Sequence, residues 1–137
     1  MPDEILYLTV SEIIEMHAQT MHSMGSNAAP LRSEDLLESA VMKPQAVAWY
    51  GGADLAEQAC VLAIGISQNQ PFLDGIKRTA YVAFKVFLEI NNVSLSATPM
   101  EIAQQLIDVA ERMGSLEEAI ARFVAWVRDR TVAANPG

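Results

Sequence analysis

A chain of 137 residues that is half apolar and carries a formal net charge of −8 can bury one sizeable core as one domain spanning 1–137. It is a poor candidate for a general nucleic-acid binder, which needs a basic face to displace counterions from phosphates. No apolar stretch reaches the length of a membrane span, and no basic region followed by an apolar run opens the chain. A soluble, non-exported protein with no membrane partner is therefore expected, with the cytoplasm as its default compartment. The single cysteine, Cys60, excludes an internal disulfide, and within Ala59-Cys60-Val61-Leu62-Ala63 it reads as a small buried hydrophobe.

The helical period dominates, with no repeat, low-complexity tract or linker. Thr9-Val10-Ser11-Glu12 is a capping box, after which Val10, Ile13, Ile14, His17 and Met21 share one face until Gly25 stops the helix. His17 on that stripe reads as a satisfied core histidine rather than a catalytic group, and His22 as an exposed residue near the helix end. Ser26 to Leu31, with Pro30, reads as loop. Ser33 can cap a short helix running to about Val41, ahead of Pro44, and Trp49 to Ala53 with its Gly51-Gly52 pair reads as loop or turn.

Asp54 to Asn69 is rich in Ala, Leu, Ile and Val and has no polar stripe wide enough for a surface helix. Gly75 to Asn91 has the same character, so these two form the expected central pair. Phe72, in the connection between them, is expected to plug the core, while Trp49 and Trp126 suit packing or a partner surface. Thr98-Pro99-Met100-Glu101 is a second capping box with proline at the first helical position, and Ile102, Leu106, Val109, Ala110 and Met113 carry its stripe to Gly114. Ser115 starts the last helix, with Leu116, Ile120, Phe123, Val124 and Val127 on its apolar face. The expected fold is an all-α bundle of about six helices. Ile5 to Leu8 and Val93 to Leu95 are candidates for a minimal two-stranded ribbon.

One segment resists a purely structural reading. Lys77 and Arg78 fall in the first turn of the helix that follows Gly75, where the positive end of the helix dipole disfavours a cation by about 0.3 to 1 kcal/mol. Only nine cations exist in the chain, and Lys77, Arg78 and Lys85 share one helix. A solvated pair kept for solubility is the plain explanation. A phosphate site is the pointed one, because unpaired N–H groups, an ammonium and a forked guanidinium together favour an anion. Asp74 just before them suits either an N-cap or a divalent cation that bridges phosphates.

The stretch Gln70-Pro71-Phe72-Leu73-Asp74-Gly75-Ile76-Lys77-Arg78-Thr79-Ala80 resembles the signature loop of the Fic/Doc superfamily, His-Pro-Phe-x-Asp/Glu-Gly-Asn-Gly/Lys-Arg, in its Doc (death-on-curing) form. Gln70 stands where the family carries its catalytic His, and Ile76 where it carries a phosphate-contacting Asn. Leu8 to Glu12, Leu36 to Ala40 ahead of Lys43-Pro44-Gln45, and Phe87 to Asn91 also read like Doc-type sequences, so the likeness covers most of the chain. It implies a Fic/Doc-type bundle and, in an intact site, a His general base, an acidic residue holding Mg²⁺ against ATP, and a glycine and helix N-terminus cradling the phosphates. Carried over, Asp74 is the metal position, Gly75, Ile76, Lys77 and Arg78 the phosphate-binding set, and Gln70 and Arg78 the catalytic positions. Lys77 in place of a second glycine resembles the branch that transfers a phosphoryl group rather than AMP.

The resemblance thus implies a toxin-fold protein of a bacterial toxin–antitoxin module, ancestrally a kinase acting on a translation factor. Because the family's base and one phosphate contact are missing, impaired catalysis is expected. Self-inhibiting Fic proteins carry a Ser/Thr-x-x-x-Glu-Gly/Asn helix, and no Glu here precedes Gly or Asn. Inhibition is accordingly expected from a small antitoxin whose C-terminal segment docks as a helix. Two alternatives stand beside this reading: an active phosphoryl- or AMP-transferring toxin represented by an inactivated variant, and a non-catalytic helical interaction module. The second departure, at Ile76, favours natural loss over a single designed substitution.

Overall fold

A computed structural model describes residues 4–27 and 31–133; Pro30 of the expected loop lies outside the described residues. The elements are α1 (Val10–Ser23), α2 (Glu34–Gly51), α3 (Leu55–Asn69), α4 (Ile76–Ile90), β1 (Val93–Leu95), α5 (Pro99–Ala110), α6 (Leu116–Arg130) and β2 (Thr131–Ala133). The fold is all-α apart from the two short strands. Five helices start on a side-chain cap: Thr9, Ser33, Asp54, Thr98 and Ser115 each accept a backbone N–H of the following turn. Both expected capping boxes form, with Glu12 and Glu101 returning the bond to the Thr9 and Thr98 N–H groups.

The buried centre is α3 against α4. Ala59, Cys60, Leu62, Ala63 and Ile66 face Ala80, Ala83, Phe84, Phe87 and Leu88 in one core, with Phe123 of α6 stacked on Phe84 at 5.7 Å. Cys60 is fully buried and burial pushes its thiol well above the ordinary value, which leaves an inert side chain. Gln58 is equally buried but satisfied: it accepts from the Tyr7 hydroxyl at 2.7 Å and donates to the Ala53 carbonyl at 3.0 Å.

Four expectations need correction. The second helix does not stop near Val41; α2 runs through Pro44 to Gly51, and Gly52 ends it at φ +64°. A proline inside a helix costs about 3 kcal/mol. Here Leu37, Ala40, Val41 and Pro44 form one buried stripe, so close to α3 that a Cβ on Gly65 would meet the Ala40 Cβ at 3.0 Å. Burying such a stripe stabilises by about 1.5 to 3 kcal/mol for each large side chain and outweighs the proline. Trp49 and Tyr50 therefore lie on the last turns of a helix rather than in a loop, 83% and 86% exposed.

The ribbon exists, but β1 pairs with β2 and not with Ile5–Leu8, in antiparallel register Val93↔Ala133, Ser94↔Val132 and Leu95↔Thr131. The N-terminal segment is held instead by the Asn91 side chain, which accepts from the Leu6 N–H at 2.8 Å and donates to the Leu6 carbonyl at 3.0 Å. The fifth helix ends at Ala110, short of Gly114, because Arg112 closes its last turn by donating to the Val109 carbonyl at 3.0 Å. Met113 is left 93% exposed, off the stripe. Finally, Asp74 is not the N-cap of α4; Gly75 is, with no side-chain cap at all. Among the described residues, no helix is long and apolar enough to cross a membrane.

Candidate functional site

The connection from α3 to α4 is held from two sides. On one side, Arg32 donates from Nε to the Gln70 carbonyl at 2.6 Å and from Nη2 to the Asn69 carbonyl at 2.8 Å, so a cation caps the carbonyl end of α3. The Arg32 and Ser33 N–H groups both reach the Pro71 carbonyl, and Leu31 bridges to Phe72. This clamp holds Gln70 in the left-handed region at φ 50°.

On the other side stands α1. Phe72 is buried as expected, with the His17 ring stacked on it at 3.8 Å and 7°. His17 is a satisfied core residue, its Nε2 lying 2.8 Å from the Asp74 carbonyl. Gly75 follows at φ +71°, and a Cβ there would meet the Met21 sulfur at 2.6 Å. Only glycine fits both that backbone and that gap.

The start of α4 differs from the other helix starts. The Thr79 N–H reaching Gly75 is its first internal bond, so the N–H groups of Ile76, Lys77 and Arg78 have no helical partner. Lys77 and Arg78 are exposed, and among the described residues neither is paired with a carboxylate. Asp74, Gly75, Ile76, Lys77 and Arg78 line one wall of a cavity of about 670 Å³. Met24, Leu73 and Tyr81, with Pro99, Met100 and Ala103 from the start of α5, complete it. The structure thus brings together every singled-out residue except Gln70, which sits at the α3 cap and is not among the lining residues. Arg32, Met24 and Met100 carry no signal in the sequence: a guanidinium 37 residues before the backbone it caps leaves no spacing pattern.

Among the described residues Asp74 is the only carboxylate on the cavity, and one of its oxygens accepts the Gly75 N–H at 2.8 Å. The other suits Mg²⁺, which keeps several waters and is commonly bound by one or two carboxylates plus substrate phosphates. Among the described residues no cluster of three or more His, Cys, Asp or Glu offers an all-protein metal cage.

Residues 7–88 match the Fic/DOC family. The chain belongs to the Fic/Doc family. It is also 36% identical over 102 residues to the Toxin Doc of Mycolicibacterium smegmatis (strain ATCC 700084 / mc(2)155), an alignment covering 70% of this chain and 77% of that protein. The Fic/Doc match takes in the loop and most of α4, whereas the α5 wall of the cavity lies beyond it.

Proposed function

We propose that this Fic/Doc protein is the toxin-fold member of a toxin–antitoxin pair, with a loop that holds the phosphates of ATP and with phosphoryl transfer impaired at Gln70 and Ile76. The observation that carries the reading is the start of α4, an uncapped N-terminus with two cations that have no carboxylate partner among the described residues, beside Asp74 and open to the cavity. Family membership and the likeness to Toxin Doc support the toxin assignment.

Arg78 offers a planar fork and Lys77 a mobile point charge, each making charge-assisted bonds to phosphate oxygens, while the first-turn N–H groups take the remaining lone pairs. The free Asp74 oxygen would hold Mg²⁺ carried in on the nucleotide, an ion that neutralises charge developing on the transferring group. Gln70 is the deficit. An attacking protein hydroxyl must lose its proton, and an amide that does not titrate near neutral pH takes none, a loss of about 10² to 10⁴ in rate. Ile76 presents hydrocarbon where stabilisation is electrostatic. The ancestral target in this reading is a translation factor, and the partner is an antitoxin segment richer in Lys and Arg than in Asp and Glu. Such a segment suits a chain of net charge −8. A second reading, a helical interaction module without nucleotide, is favoured by the exposed Trp49 and Tyr50.

Calorimetry with ATP, with and without Mg²⁺, separates the two. The proposed function requires Mg²⁺-enhanced binding that Asp74→Ala removes; no heat at millimolar ATP sinks it. Gln70→His with Ile76→Asn is expected to restore far more transfer than either change alone, since groups acting as a unit are not additive. An unaltered chain that arrests bacterial growth as strongly as the double variant would contradict the impaired site.

A further inference from the structure

The Asp74–Gly75 peptide is planar and trans, so its C=O and N–H point in opposite directions. The oxygen is taken by His17 on α1 at 2.8 Å. Because a carbonyl only accepts, His17 Nε2 must carry the proton, and the ring is the Nε2–H form at that atom. The same peptide's N–H therefore points away from α1, where it reaches Asp74 Oδ1 at 2.8 Å, and both residues line the cavity. Glycine at position 75 leaves a second orientation open. A flip of this peptide changes the Asp74 ψ and the Gly75 φ, and glycine populates both signs of φ about equally. The flipped form would put a carbonyl oxygen where the N–H now meets Asp74 Oδ1, and that oxygen would repel both the carboxylate and an incoming anion.

We infer that His17 is a positioning residue that locks the Asp74–Gly75 peptide with its N–H turned away from α1, selecting the loop conformer able to receive an anion. The ring does so with two contacts at once. Stacking on Phe72 fixes its plane, and the fixed plane aims Nε2 at the Asp74 carbonyl. Met21, one helical turn further along α1, fills the space against Gly75 and supports the same conformer. His17 touches no substrate atom in this arrangement. It acts through the backbone, and its consequence for binding rests on the anion-site reading above; its consequence for the loop does not.

The two contacts are separable by substitution. His17→Gln keeps an N–H donor at similar reach and loses the ring, whereas His17→Phe keeps the ring and loses the donor. In ¹⁵N-labelled unliganded protein we expect the His17 Nε2 signal to be of the protonated, pyrrole type in mildly alkaline buffer, where an ordinary imidazole is neutral. In His17→Phe the Gly75 amide signal should move, and exchange of the Thr79 N–H, which closes the first turn on Gly75, should rise roughly ten- to a hundredfold relative to the Phe87 N–H in the same helix. His17→Gln should recover most of that protection. Titration with inorganic phosphate should show the same ranking, wild type tightest and His17→Phe weakest.

A pyridine-type Nε2 signal in the wild-type chain overturns the inference without any variant having to fold. So does uniform acceleration of Thr79 and Phe87 exchange, which would mark His17 as ordinary core, or a His17→Gln variant as disturbed as His17→Phe. A wild-type chain that binds neither phosphate nor ATP while the loop signals behave as expected refutes the anion-site reading and supports the peptide lock.

Discussion

Two helix starts face the same cavity and are built in opposite ways. At the start of α5, Thr98 and Glu101 satisfy each other's N–H groups, Pro99 has none to satisfy, and the side chains offered to the cavity are Pro99, Met100 and Ala103. At the start of α4 there is no side-chain cap and no acidic residue in the first turn, and Lys77 and Arg78 stand against the dipole. One terminus is finished internally and contributes an apolar wall. The other has no side-chain cap, and under the proposed function an anion would take its open N–H groups. The helix with the open start is also anchored in the core by its next turns, through Ala80, Ala83, Phe84 and Phe87, so the strain of an uncapped terminus is borne by packing.

The comparison breaks most plainly if the cations are removed. Lys77→Ala with Arg78→Ala should weaken ATP or phosphate binding by a hundredfold or more, since hydrogen bonds to charged groups contribute about 1.5 to 3 kcal/mol each. The same pair of changes should raise stability slightly in urea unfolding, by up to about 1 kcal/mol, because two unfavourable charge–dipole interactions disappear. Loss of stability together with unchanged binding would make Lys77 and Arg78 structural.

Gly75→Ala should come next. A side chain at φ +71° with its Cβ 2.6 Å from the Met21 sulfur must displace the loop or α1, at a cost of about 1 to 3 kcal/mol in denaturant unfolding, with phosphate binding lost as well. A binding-competent Gly75→Ala chain would show that the left-handed turn is dispensable.

Thr98→Ala is the matching change at α5. It should cost about 1 kcal/mol of stability, read as a lowered melting temperature, and leave phosphate affinity where it was. Its pH dependence has a definite sign: bonding to Thr98 holds the Glu101 carboxyl below its ordinary value. The Glu101 contribution is present above the unfolded-state value near 4.5 and is lost as pH falls through the lower folded one. Because the variant keeps the residue-98 N–H that Glu101 accepts, both chains should lose it, and the variant should stay the less stable in acid, since the Thr98 hydroxyl's bond from the Glu101 N–H does not titrate.

The smallest effect is expected from Asp54→Asn at the start of α3. Asp54 caps that helix through the Glu57 N–H and accepts from Arg128 Nε at 2.8 Å, and the Arg128 bond is the main reason its carboxyl sits below the usual range. Because the pair is half exposed, Asp54→Asn, which keeps the cap, should reduce stability only slightly above the ordinary carboxylate range, and less so in high salt. Asp54→Ala should add about 1 kcal/mol of lost capping. Equal melting curves for the two variants would remove the cap from the account.

The helix starts were legible in the sequence because caps are local: Thr9 with Glu12 and Thr98 with Glu101 are three residues apart, and side chain and amide meet as soon as one turn forms. The motif was legible for the same reason, since Asp74 through Arg78 are contiguous and reach one cavity together. The course of α2 was not. Pro44 argues locally for a break, and it is overruled by a stripe whose burial depends on how closely Ala40 approaches Gly65. The partner of β1 was equally hidden, because β2 becomes adjacent only after α5 and α6 have packed.

By itself, then, the chain's sequence determined where its helices begin, which faces they bury, and that two cations crowd one open helix start, all of which rest on interactions within a turn or two. Tertiary structure decided how the loop at that start is held. Arg32 reaches the Gln70 carbonyl from 38 residues away and His17 the Asp74 carbonyl from 57. Such bonds carry no pattern in the sequence, because a backbone carbonyl looks the same at every residue and only the packing of α1 and α2 against the central pair selects which one lies within reach.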